Sequence, residues 1–152
     1  MNVMLDTNVL VRMADPDDAH FASTVDAIRR LDDSARELVI VPQVLYEFWV
    51  VATRPLENNG LGLSPNEAHS EIQGILELYR LLRDERAIYP IWEQLVATHG
   101  VRGKPAHDAR LVAAMLRHSV THLLTYNTSD FKRYSEITAL SPMSVLDGAD
   151  LI

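Results

Sequence analysis

The chain has 152 residues, the length of one domain, and its 47% hydrophobic and 23% charged residues are ordinary globular proportions. It contains no cysteine, which excludes disulfides, thiolate zinc sites and thiol catalysis and suits a reducing cytoplasm. The net charge of −7, from 14 basic against 21 acidic residues, argues against a passive nucleic-acid binder but not against an enzyme that gathers carboxylates around metal ions.

Val3-Met4-Leu5 is a short apolar run ending in a polar Asp6-Thr7-Asn8 turn, and Val9 to Met13 opens a helix. No basic stretch precedes that run, and no apolar segment nears the ~20 residues of a bilayer span, so neither a signal peptide nor a membrane anchor is expected. After the break at Asp15-Pro16-Asp17-Asp18, Phe21, Val25, Ile28 and Leu31 fall at helical spacing. Leu38-Val39-Ile40-Val41 predicts a buried parallel strand closed by Pro42. From Pro42 to Thr53 the residues Val44, Leu45, Phe48, Trp49 and Ala52 predict a helix whose apolar stripe is core, with Pro42 in its first turn.

Arg54 to Leu63 is a loop rich in Asn, Gly and Pro. Ser64-Pro65-Asn66-Glu67 is a capping box that starts a helix running to about Leu82. Ala87-Ile88-Tyr89 is a candidate strand, Ile91 to His99 a short helix stopped by Gly100, and Val101 to Ala106 a basic loop. A helix from Asp108 to Arg117, a strand at His122 to Thr125 and another at Ile137 to Leu140 complete the pattern. Strand and helix signals alternate throughout without repeats, which predicts a single α/β domain over 1–152 with a parallel sheet of about five strands covered by helices on both faces.

Four acids sit where charge is expensive or at element ends. Asp6 closes the first strand, Glu47 lies inside an apolar helix, Asp108 opens the helix after the basic loop, and Asp130 follows the strand at His122 across a polar turn. In a parallel sheet the strand ends converge on one edge, where ligands bind. Carboxylates delivered there repel one another unless a divalent cation holds them, and oxygen donors without cysteine or clustered histidine favour Mg²⁺ or Mn²⁺ over zinc. Each acid also has a plainer role open to it. Asp6 and Asp130 read as caps, Glu47 as a solvent-facing helix residue, and Asp108 as a partner of the helix dipole. The six histidines are scattered without metal-ligand spacing, and no nucleophile elbow or phosphate-cradling glycine loop occurs.

Four segments taken in order resemble the PIN-domain ribonucleases, the VapC-type toxins above all. They are Met4-Leu5-Asp6-Thr7-Asn8-Val9-Leu10, Val41 to Phe48 around Glu47, Ala106-His107-Asp108-Ala109, and Leu124 to Phe131 around Asn127 and Asp130. The resemblance covers essentially the whole chain. It implies a three-layer fold and an acidic pocket binding Mg²⁺ or Mn²⁺, with Asp6 and Asp108 as principal ligands and Glu47 as ligand or water-orienting group. Thr7, Asn8 and Asn127 would lie just behind them. The fourth acid falls at Asn127 in many relatives and at Asp130 in others, and Asp130 is the choice here. Arg102 and Lys104, on the loop before Asp108, are placed to contact substrate phosphate. The resemblance further implies a cytoplasmic ribonuclease acting on structured RNA such as tRNA or rRNA, a homodimer, and a cognate antitoxin whose tail enters the pocket. A PIN-like module that binds RNA or protein without turnover is the alternative. A haloacid-dehalogenase-like phosphatase is disfavoured, because its second acid would stand where this chain has Asn8.

Overall fold

In the computed structural model, which describes residues 1–148, the apolar run at the N-terminus becomes the middle of a sheet. β1 (Asn2–Leu5) lies between β2 (Glu37–Ile40) and β4 (His122–Leu124), with β3 (Arg80–Leu81) and β5 (Thr138–Leu140) at the edges. All four pairings are parallel, with Val3 opposite Leu38 on one side and Met4 opposite Leu123 on the other. Val3, Met4 and Leu5 are wholly buried, as is expected of a strand covered on both faces. Among the described residues seven α-helices flank the sheet: α1 (Thr7–Met13), α2 (Phe21–Asp33), α3 (Pro42–Thr53), α4 (Pro65–Leu78), α5 (Ile88–His99), α6 (Pro105–Arg117) and α7 (Pro142–Leu146). α5 packs along α6, α2 against α7, and α1 against α3. The expected single domain over 1–152 includes four C-terminal residues, 149–152, that lie outside the described residues.

Several elements depart from the sequence reading, each for a local reason. Asp6-Thr7-Asn8 is not a turn, because Asp6 caps α1 directly: its Oδ1 accepts from the Thr7 backbone N–H at 2.7 Å, so the helix begins at Thr7. α4 opens at the expected capping box but ends at Leu78, short of Leu82. Tyr79 turns extended there, and Arg80–Leu81 pair with Val39–Ile40 as the edge strand. Ala87-Ile88-Tyr89 is no strand, since α5 already starts at Ile88, and the missing N–H of Pro90 costs nothing in a first turn. α6 likewise begins at Pro105, three residues before Asp108. α7, opened by a Ser141–Ser144 capping box, was not anticipated.

The loop after α3 is folded back onto the helix it leaves. The N–H groups of Leu61, Gly62 and Leu63 donate to the carbonyls of Val51, Arg54 and Ala52 at 2.9 to 3.0 Å, satisfying the otherwise open helix end. This close return needs a glycine at position 60, where a Cβ would stand 1.9 Å from the Arg54 carbonyl oxygen. Gly60→Ala is expected to lower unfolding free energy by about 1–3 kcal/mol, as overpacking against an unyielding neighbour does. Chemical denaturation of the two proteins checks this, and equal midpoints would contradict the packing.

The strand order sets the site. From β1 the chain moves to β2 and β3 on one side, then crosses to β4 and β5 on the other. The direction of winding therefore switches between β1 and β4, and the carboxyl ends of those strands open a crevice. The residues leaving them, Asp6 and Thr125, are neighbours there: the Asp6 N–H donates to the Leu124 carbonyl at 3.0 Å.

Candidate active site

Asp6 is only 9% exposed, yet it carries a carboxylate. Its Oδ1 takes the Thr7 N–H, and its Oδ2 takes the Thr125 hydroxyl at 2.8 Å and the Asn8 amide at 3.4 Å. Asn8 in turn accepts the Tyr126 N–H through its Oδ1 and donates to Thr125 Oγ1 at 3.2 Å, which ties the start of α1 to the end of β4. Asn127 enters the same network through its backbone, which donates to Thr125 Oγ1 at 3.1 Å.

Glu47 comes from the second turn of α3 and is held at both oxygens. Thr7 Oγ1 donates to Oε2 at 2.8 Å, and Gln43 Nε2 donates to Oε1 at 2.9 Å. Asp108 stands in the first turn of α6, half-buried. Asp130, exposed, is carried on the 3₁₀ turn Thr128–Phe131. The four acids open onto one two-lobed cleft. One lobe, about 680 Å³, is lined by Glu47, Asp108 and Asp130 with Lys104, His107 and Arg54. The other, about 380 Å³, is lined by Asp6, Thr7, Asn8, Glu47, Asp108 and Asn127, with Arg12 and Arg54.

Their charges are felt mutually. Burial pushes the Asp108 carboxyl up from 3.8 to about 6, and the nearby charges of Asp6, Asp130 and Glu47 push the same way. Burial also raises Asp6, against the hydrogen bonds from Thr125 and Thr7 and with the help of Glu47 and Asp130. Among the described residues no three His, Asp or Glu side chains are gathered closely enough to hold an ion between them. The donor set nevertheless suits a hard divalent cation: carboxylate oxygens from four chain segments, hydroxyls and amides behind them, and no thiol anywhere.

The sequence matches the PIN domain family over residues 3–137. The chain belongs to that family. No curated protein matches it by sequence. Among solved structures it is similar in fold to VapBC2 from Rickettsia felis bound to a DNA fragment from their promoter, at 16% identity and a TM-score of 0.68, over 93% of this chain and 98% of that one. It is also similar to FitAcB from Neisseria gonorrhoeae, at 22% identity and a TM-score of 0.66, over 93% and 98%. A third is VapC20 from Mycobacterium tuberculosis, described as a sarcin-ricin loop cleaving toxin, at 16% identity and a TM-score of 0.63, over 87% and 95%.

In this PIN domain the two loop cations chosen from sequence part company. Lys104 lines the cleft, whereas Arg102 is exposed and lines neither lobe. Two arginines that sequence reasoning passed over line it instead. Arg54 follows Glu47 by seven residues, two helical turns along the same face, and that spacing was the available signal. It touches both lobes, and no ion pair or side-chain hydrogen bond engages it among the described residues. Arg12 lies 4.0 Å above the Tyr126 ring centroid, a contact between distant segments that spacing does not reveal. Thr125 and Gln43 were passed over as well. A threonine closing an apolar strand beside Asp6, and a glutamine one turn before Glu47, were their only marks.

The raised carboxyls give the metal-free PIN domain a pH dependence of unusual sign. A carboxyl whose folded value lies above its unfolded value contributes stability at low pH and loses it as pH rises through the folded value. Asp108 should therefore cost about 1–2 kcal/mol between about pH 4 and about pH 6, allowing for solvent screening of a half-exposed group. Melting in EDTA across that range should show the loss in the native chain and a smaller one in Asp108→Asn. Parallel pH profiles for the two would contradict the assignment.

Proposed function

We propose that this chain is a metal-dependent endoribonuclease, the toxin half of a toxin–antitoxin pair. The reading rests chiefly on one observation: carboxylates from four separate segments share a cleft at the switch point of the sheet with the unengaged cation of Arg54. Asp6, Asp108 and Glu47 would hold Mg²⁺ or Mn²⁺, with Asp130 completing the acidic set. Such an ion, when bound, lowers the pKa of its water and neutralises the phosphodiester. Thr7, Asn8 and Thr125 keep Asp6 and Glu47 aimed into the cleft, and Asn127 supports them from the strand exit. Arg54 and Lys104 take the phosphate backbone of RNA, and Arg102 serves as an outer contact on the approach.

Membership of the PIN domain family and the likeness to VapBC toxin–antitoxin structures support this reading. They also support a protein antitoxin as partner; in this reading its tail would enter the acidic cleft. A second copy of the chain would pair through exposed apolar side chains such as Tyr46, which is 64% exposed. No described helix is long and apolar enough to cross a membrane, and a cytoplasmic site of action fits an RNA substrate such as tRNA or rRNA.

The test is incubation with a mixed tRNA and rRNA pool in Mn²⁺ and in EDTA, with cleavage expected in Mn²⁺ alone. Mn²⁺ binding without cleavage would mark a PIN-like binding module instead. Arg54→Ala should weaken RNA binding and flatten the log–log salt dependence by about one unit of slope. An unchanged slope would remove Arg54 from the phosphate contacts. Expression of the chain alone should slow growth, and normal growth despite folded, active protein would sink the toxin reading.

A further inference from the structure

We infer that Gln43 is a positioning residue, the strut that fixes the Glu47 carboxylate relative to Asp108. Gln43 is 7% exposed, although its side chain is an amide in a helix that is otherwise apolar on its buried face. One turn ahead of Glu47, it shares that residue's face of α3. Both hydrogens of its Nε2 are spent: one goes to Glu47 Oε1 at 2.9 Å and the other to the backbone carbonyl of His107 at 2.8 Å. His107 immediately precedes Asp108 in the first turn of α6. One amide nitrogen thus joins the helix that carries one acid to the helix that carries the other.

The amide cannot be turned over. Its Oε1 accepts from Arg110 Nη1 at 3.1 Å, and exchanging the two ends would set oxygen against a carboxylate and a carbonyl, and nitrogen against a guanidinium. Arg110 is braced in its turn by Asp84, whose Oδ1 lies 3.2 Å from Nη2. The other Glu47 oxygen is held by Thr7, whose own N–H caps onto Asp6. A line of hydrogen bonds therefore runs from the protein surface at Asp84 through Gln43 and Glu47 to Asp6. A carboxylate gripped at both oxygens loses the freedom to swing, so it meets a ligand without an ordering cost.

The consequence for metal binding rests on the proposed role of Glu47, and the test separates the two. Mn²⁺ is titrated calorimetrically, without RNA, into the metal-stripped full chain and into Gln43→Met, which keeps length and removes both donated bonds. Affinity should fall about tenfold or more, the scale on which groups that orient metal ligands act. RNA cleavage by the same variant should lose kcat with KM nearly unchanged. Arg80→Gln, which breaks an exposed ion pair with Glu37 outside this line, should leave Mn²⁺ affinity unaltered. Undiminished Mn²⁺ affinity in folded Gln43→Met overturns the inference, as does an equal loss in Arg80→Gln, because that would be general destabilisation. The unaltered chain supplies a second readout independent of metal. Its Gln43 side-chain amide protons should exchange slowly with solvent and shift in Glu47→Gln. Slow exchange in a chain that takes no Mn²⁺ would defeat the metal reading and uphold the strut, whereas free exchange would defeat the strut.

Discussion

Replacing either Asp6 or Asp108 by asparagine should reduce RNA cleavage by at least about 100-fold, the scale on which removing one group from a charge-stabilising site acts. The fold should survive the change. Asn at position 6 keeps an acceptor for the Thr7 N–H; its Nδ2 would face Thr125 Oγ1, which already accepts from Asn8 and Asn127, and that local cost is set against removal of a buried charge. Burial is the main reason the Asp108 carboxyl is pushed up, and the neighbouring charges add to it; removing one of those charges relieves that repulsion, so melting temperature in EDTA should hold or rise. Asp130→Asn should cost much less, because Asp130 is exposed at the outer lobe and Asn127 already occupies the neighbouring strand exit without charge. Rates and melting temperatures for the three variants decide the order. A well-folded Asp6→Asn chain that cleaves at the native rate would end the hydrolytic mechanism.

Mn²⁺ should raise the melting temperature by about 5–10 °C at a hundredfold excess over its dissociation constant. The gain is RT ln(1 + [L]/Kd), about 2.7 kcal/mol there, and one kcal/mol moves a domain of this size by about 2–4 °C. The effect should grow from pH 5 to pH 7.5, because the ion competes with the protons that the raised Asp6 and Asp108 carboxyls retain at the lower value. Thermal melts in Mn²⁺ and in EDTA that superimpose at both pH values would count against a metal site.

Which parts of the molecule were legible in its sequence follows from how each part is stabilised. β1, β2 and β4 announce themselves because strands buried on both faces are largely apolar, as Val3-Met4-Leu5 and Leu38-Val39-Ile40 are, while β5, an edge strand with Thr138 exposed, shows only as a short β-prone run. β3 does not. Its two residues, Arg80 and Leu81, are exposed, continue the pattern of α4, and become a strand only because β2 offers them an edge. Asp6, Glu47 and Asp108 were visible because a carboxylate beside apolar sequence is costly and calls for a reason. The side chains that hold them were less so. Thr125 lies 119 residues from Asp6, and Gln43 bonds to a backbone 64 residues away, so neither contact leaves a periodic trace. Arg102 was chosen for its place beside Asp108 in the chain, yet Arg54 and Arg12, much farther off in sequence, are the arginines that line the cleft.

The pairing of the first strand with the fourth also bears on when the cleft exists. Asp6 precedes Thr125, the threonine that grips it, by 119 residues of chain. An unfinished chain can hold β1 against β2, but the crevice has no second wall until β4 is made and docked. A messenger broken between the codons for Asp108 and β4 yields a product with Asp6, Glu47 and Asp108 in its sequence and without the strand that walls their crevice. Whatever this cleft does to its ligand, it is withheld until the segment that carries β4 has been made.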